Sequence, residues 1–146
     1  MQKQILELLR ELKSKLNMSL LLITHNIGLV AELCDKVAIM YAGRIVEFGD
    51  AETIFPSKSL NNPIHPYTIG LLNSVPNLDN IEQKLKSIKG VVPNMINTPP
   101  GCRFHPRCSH AIALCQEKNP EFIEIKPNHF VACHLSNSLS LKKRVS

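Results

Sequence analysis

Apolar positions along this chain recur with changing periods, and each change marks an element. Ile5, Leu8, Leu9, Leu12 and Leu16 fall at helical spacing with Lys, Glu and Arg between them, which predicts an amphipathic helix over 2–16 that ends at Asn17. Ser19 to Thr24 is a nearly all-apolar run, the pattern of a strand covered on both faces. Residues 27–34 suit a short helix. Lys36 to Met40 reads as a strand, Ala42-Gly43 as a turn and Arg44 to Phe48 as the hairpin partner. Further on, Pro66 stands at the first turn of a helix predicted to run to Asn73.

Strand, helix and strand over 19–40 make one βα unit, which belongs in a larger parallel sheet. One such unit cannot complete a sheet covered on both faces. Residues 1–55 therefore read as the end of an α/β domain, and its unpaired strand 19–24 would leave a sheet edge open to association. After position 55 the composition changes. All ten prolines lie there, and Cys102, Cys108, Cys115 and Cys133 fall close to His105, His110, His129 and His134. The expected organisation is an α/β part over 1–55, a connecting segment over 56–84 with the helix at Pro66, a loop-rich four-cysteine extension over 85–135, and a flexible tail over 136–146.

The chain has 146 residues, 44% hydrophobic and 20% charged, which excludes wholesale disorder. A net charge of +5 is mildly basic. Its one dense run, Lys142-Lys143-Arg144, reads as a solvated tail, so no nucleic-acid partner is expected. The longest apolar stretch, Leu20 to Ile23, is far short of the roughly 20 residues of a spanning helix. Residues 1–16 lack the pattern of a secretory signal, so a cytosolic setting is expected.

That setting argues against disulfides among the four clustered cysteines, spaced C-x5-C-x6-C-x17-C. Their neighbours are Pro, Gly, Arg and His rather than core residues, which argues against four inert buried thiols. A segment of this size with few aromatic residues is near the limit where a bound metal serves as a staple. Zinc and an iron–sulfur cluster both accept four thiolates. The spacing leaves both open, together with a mixed Cys/His zinc site. Cys34, beside Leu33, reads as a small core residue. Thr24 and His25, directly after the apolar run, stand where an α/β sheet presents groups to a ligand, although a lone His there is by default a polar strand end.

The stretch Leu21-Leu22-Ile23-Thr24-His25-Asn26, followed by residues 31–49 from Ala31-Glu32-Leu33 to Glu47-Phe48-Gly49, resembles the final segment of an ABC-transporter ATPase domain: its switch-histidine loop, then the closing helix and hairpin. Ile54-Phe55, His65-Pro66-Tyr67-Thr68, Leu71-Leu72 and Pro76 are similar to the ATP-binding subunits of oligopeptide, dipeptide and nickel importers. The resemblance implies that His25 contacts the γ-phosphate of ATP and the attacking water, a task an imidazole can perform near neutral pH. Asn26 stands where the family usually has an acidic residue. No G-x-x-x-x-G-K-[ST] phosphate loop occurs in the sequence, and the magnesium-binding and signature motifs are missing too. The chain is thus expected to be the C-terminal fragment of a P-loop ATPase, binding ATP and Mg²⁺ only together with the missing N-terminal part and not hydrolysing ATP by itself.

Residues 100–108, Pro-Gly-Cys-Arg-Phe-His-Pro-Arg-Cys, with Cys115, Pro120 and His129 to Cys133, look like the C-terminal extension of the same importers. The resemblance implies a structural [4Fe–4S] cluster on Cys102, Cys108, Cys115 and Cys133. Arg103 and Arg107 could offset its charge or be solvated surface arginines. It also implies permease subunits and a second ATPase subunit as partners, a separately encoded N-terminal ATPase part being another, at the cytoplasmic face of the membrane and held there only through the permease. The competing reading is a free-standing Cys-rich metal-binding interaction module; the blandest is a remnant without activity.

Overall fold

A computed structural model describes residues 2–55, 65–74 and 87–136. Residues 56–64 and 75–84 of the connecting segment, 85–86 of the four-cysteine extension, and 137–146 of the expected tail lie outside the described residues. The chain divides into two compact units, 1–35 and 36–146.

In the first unit, helix α1 covers Gln2–Leu16, with Lys13 and Lys15 in its last turn, where cations oppose the helix dipole. Asn17 takes a left-handed φ of 47°, and the Met18 amide donates to the Lys13 carbonyl at 3.3 Å. This is the Schellman closure expected of a helix ending in Asn. Helix α2 covers Ile27–Leu33. Arg10 bonds Glu32 at 2.7 Å and Lys13 bonds Asp35 at 2.6 Å, tying α1 to the end of α2. Both pairs are exposed and each contributes only about 0.2–1 kcal/mol.

The strand expected at 19–24 is not formed. Those residues pair with no other segment among the described residues, and Leu21 and Ile23 are 86% and 87% exposed. A strand needs neighbours to satisfy its amides and carbonyls and to cover its faces. The first unit has no fully buried residue among those described, and the apolar stripe of α1 (Ile5, Leu8, Leu16) faces solvent.

The second unit opens with strands β1 (Lys36–Tyr41) and β2 (Arg44–Asp50), paired antiparallel around Ala42-Gly43. Both turn residues have positive φ, 46° and 78°, the geometry that suits the right-handed twist of a two-residue hairpin. Helices α3 (Ala51–Ile54) and α4 (Pro66–Asn73) follow. Beyond a 3₁₀ turn at His105–Arg107 come α5 (Ala113–Glu117), β3 (Ile123–Lys126) and β4 (His129–Val131). Pro127-Asn128 reverses the chain between β3 and β4, with Asn128 at φ 59°.

The sheet order is β1-β2-β4-β3, every pair antiparallel. The architecture is mixed helix and antiparallel sheet. The hairpin and the cysteine-rich segment, expected as separate parts, share this sheet: β4 pairs directly with β2, setting Glu47 opposite Val131 and Phe48 opposite Phe130. Val37, Ile39 and Tyr41 alternate into the core with Val46, Ile54, Phe104 and Val131. Tyr41, Tyr67 and Phe104 pack ring against ring, with centroids 4.6–5.5 Å apart.

Candidate functional site

His25 lies in the first unit, exposed, at the end of the extended stretch that follows α1. Its neighbours hold the backbone there. The Asn26 amide donates to Thr24 Oγ1 at 3.1 Å, and Asn26 Oδ1 accepts from the Leu29 amide at 3.4 Å. Asn26 is thus the N-cap of α2. Asn caps a helix as well as Asp does, so the neutral residue preserves the turn after His25 while removing a charge. The imidazole is left available to a ligand.

The four cysteines fall in the second unit, on loops rather than on regular elements. Gly101 makes their arrangement possible. It sits at φ 65°, and a Cβ there would stand 2.4 Å from the Cys115 carbonyl oxygen. That close approach lets the Cys102 amide donate to the same carbonyl at 2.8 Å, joining two cysteines 13 residues apart. Cys115 is buried and the other three are partly buried; all four are free thiols.

Burial pushes the Cys133 thiol up to about 11, and nearby Cys102, Cys108 and Cys115 push it the same way. Burial also raises Cys102 and Cys108. Backbone amides oppose these shifts: Phe104 and His105 toward Cys102, His110 toward Cys108, Leu135 toward Cys133. Three of the four sulfurs therefore receive an amide from two residues downstream. Such donors stabilise thiolate over thiol, and thiolate is the metal-binding form. The donor set suits a thiolate-bound group in number and chemistry. Among the described residues, no three His, Cys, Asp or Glu side chains converge at metal-ligating spacing.

Both arginines of this loop donate to backbone carbonyls. Arg103 Nη1 donates to the Ala42 carbonyl in the hairpin turn. Arg107 donates to the carbonyls of Ile88 and Lys89 at 2.9 and 3.0 Å, and at 3.5 Å to the Tyr41 hydroxyl. They join the cysteine loop to the hairpin and to residues 87–90.

Behind the loop lies a polar cluster that sequence reasoning missed. Glu47, fully buried on β2, bonds His129 Nε2 of β4 at 2.8 Å through Oε1. Its Oε2 accepts from the His65 amide at 3.1 Å. His65, the N-cap of α4, accepts from the Tyr67 amide at Nδ1, and its ring lies tilted against that of Phe104 with centroids 5.8 Å apart. One carboxylate thus ties together the hairpin, α4 and the strand leading to Cys133. His65 and Tyr67 pack inside the second unit, against Phe104 and, for Tyr67, Tyr41.

Desolvation lowers the His65 pKa to about 4, with the Glu47 charge opposing part of the shift. Below the ordinary value of 6.5 the unfolded chain takes up a proton that the folded chain refuses. Stability should therefore be complete above about pH 6.5 and fall toward pH 4, by up to about 1.4 kcal/mol per pH unit. His65→Asn, which keeps a capping acceptor, should flatten this acid limb in urea unfolding measured between those pH values. An unchanged limb would remove His65 as its source.

Residues 46–115 match the C-terminal region of oligopeptide/dipeptide transporters. The chain is 44% identical over 134 residues to the dipeptide transport ATP-binding protein DppD of Caldanaerobacter subterraneus, a match covering 92% of this chain and 40% of that protein. It is 45% identical over 132 residues to the oligopeptide transport ATP-binding protein OppD of Salmonella typhimurium, covering 90% and 38%. With the oligopeptide transport ATP-binding protein AppD of Bacillus subtilis it shares 45% over 134 residues, covering 92% and 39%. The chain spans about two fifths of the length of these curated relatives.

Proposed function

We propose, from a chain that belongs to the oligopeptide/dipeptide transporter family through its C-terminal region, that it acts as the C-terminal portion of an ATP-binding subunit of an ABC importer for oligopeptides or dipeptides. The observation that carries this reading is identity near 45% over nine tenths of the chain, spanning His25 and the cysteine loop alike. Its partners would be permease subunits and a second ATPase subunit, at the cytoplasmic face of the membrane. No helix among the described residues is long and apolar enough to cross a membrane.

In this reading His25 acts on ATP held by groups outside this sequence. An exposed imidazole on a backbone held by the Thr24–Asn26 turn and the cap of α2 can donate to a phosphate oxygen or hold the proton of an attacking water. The 146 residues contain no phosphate loop, so the backbone cradle and most of the electrostatic stabilisation of phosphoryl transfer are absent from them. The isolated chain should give no calorimetric signal with Mg-ATP at micromolar concentrations. Grafted in place of the matching part of the Caldanaerobacter protein, it should support ATP hydrolysis, and His25→Ala should cut that rate by about 100-fold or more. Micromolar ATP affinity of the isolated chain, or a folded graft indifferent to His25→Ala, would overturn the reading.

Cys102, Cys108, Cys115 and Cys133 are the residues that would hold a [4Fe–4S] cluster, zinc being the other candidate. The amides directed at three of the sulfurs support this. When bound, the group supplies strong metal–thiolate bonds that close the loop, and its role here is structural. The chain's own part is to desolvate the thiols, direct amides at them and anchor the loop through Arg103, Arg107 and β4.

A further inference from the structure

A cleft of about 380 Å³ opens between the start of β2, the cysteine loop and residues 119–122, which lead into β3. It is large enough for a small organic molecule. Val46, Phe104, Phe122 and Ala132 give it an apolar wall, and Arg44 and Arg103 bring two guanidinium groups to it with no carboxylate among the lining residues. Arg103 is half-buried and held by its bond to the Ala42 carbonyl, so its fork of donors is set in place before anything binds. Arg44 is exposed at the start of β2. Among the described residues neither guanidinium has a carboxylate partner. Two unmatched cations beside an apolar wall, in a space partly closed to water, favour an anion with an apolar body.

We propose that this cleft is a binding site for a small carboxylate carried on an aromatic or aliphatic body. A planar carboxylate matches the fork of donors that a guanidinium presents, and each bond between them is charge-assisted. The body covers Phe122 and the apolar wall, excluding water from the ion pair and so reducing its screening. A compact anion such as phosphate would leave that wall wet, and an uncharged apolar molecule would leave both guanidinium groups unmatched. Cys102 also lies on the wall, but no chemistry of its sulfur is needed. Binding here depends neither on the transporter reading nor on what the four cysteines hold, so its failure would leave both untouched.

The test uses the full chain, purified without oxygen, at neutral pH and low salt, with three probes of one shape: 3-phenylpropionate, 3-phenylpropanol and 3-phenylpropylammonium. Ligand-observed saturation-transfer NMR should find the carboxylate bound about tenfold tighter than the alcohol, with the ammonium compound weakest. Arg44→Glu should remove that preference, because the introduced carboxylate occupies Arg103, and Arg44→Gln should reduce it. The alcohol's affinity should stay at the wild-type value in both variants, which shows the cleft intact. Phe122→Ala should weaken carboxylate and alcohol alike, by about fivefold. No binding of the carboxylate, equal affinity for the alcohol, or a preference that survives Arg44→Glu would overturn the assignment. So would a Phe122→Ala chain that binds both compounds as the wild type does.

Discussion

Replacing Glu47 by Ala should cost the second unit about 3 kcal/mol or more, the largest loss expected from any side-chain truncation in it. The carboxylate is fully buried and accepts from His129 Nε2 and from the His65 amide. Truncation leaves both donors buried where water cannot replace the lost acceptor. His129 is already short of partners, since its Nδ1 is buried without one among the described residues. Because small domains are stable by only about 5–15 kcal/mol, the loss should show as a large drop in the urea midpoint. Glu47→Gln keeps an acceptor oxygen and should lose distinctly less. Equal midpoints for Ala and wild type would show that the cluster does not join β2, β4 and α4 energetically.

Gly101→Ala should have a comparable effect by another route. A left-handed φ of 65° costs an L-residue roughly 1–2 kcal/mol. The added Cβ at 2.4 Å from the Cys115 carbonyl forces one backbone segment to move. The movement breaks the Cys102–Cys115 bond that brings the first and third cysteines together. Cys115, buried in the native chain, should then react with a thiol reagent at a rate near that of unfolded protein. Unchanged protection of Cys115 would mean the loop has room that its geometry does not show.

Much of the fold was legible because its signals are local. The stripe of α1, Asn17 as its stop, the Ala42-Gly43 turn and Pro66 at the first turn of α4 all appear where periodicity and turn chemistry put them. The strand at 19–24 failed because apolar content alone does not make a strand; it needs a paired neighbour. The joining of β4 to β2 was invisible because residues about 80 apart carry no local signal of pairing.

Glu47 was missed for a specific reason. Strict alternation along Arg44 to Phe48 puts Ile45 and Glu47 on one face. The register slips between Ile39 and Met40, whose partners are Glu47 and Ile45, leaving Val46 as an extra residue on β2. The bulge turns Val46 and Glu47 both inward and leaves Ile45 44% exposed. A carboxylate in a hairpin strand reads as a solvent-facing residue until its partners, His129 and the His65 amide, are in place. That the four cysteines share one segment is plain from the sequence. Their amide donors are not, because those depend on loop conformation.

The most direct measurement is the iron and acid-labile sulfide content of the chain purified without oxygen. The account predicts brown protein with broad absorption near 400 nm and about four iron and four sulfide per chain. Both should be lost in Cys108→Ser, together with protease resistance over residues 85–135. Colourless protein without iron, whose four thiols titrate freely in the folded state, would contradict it.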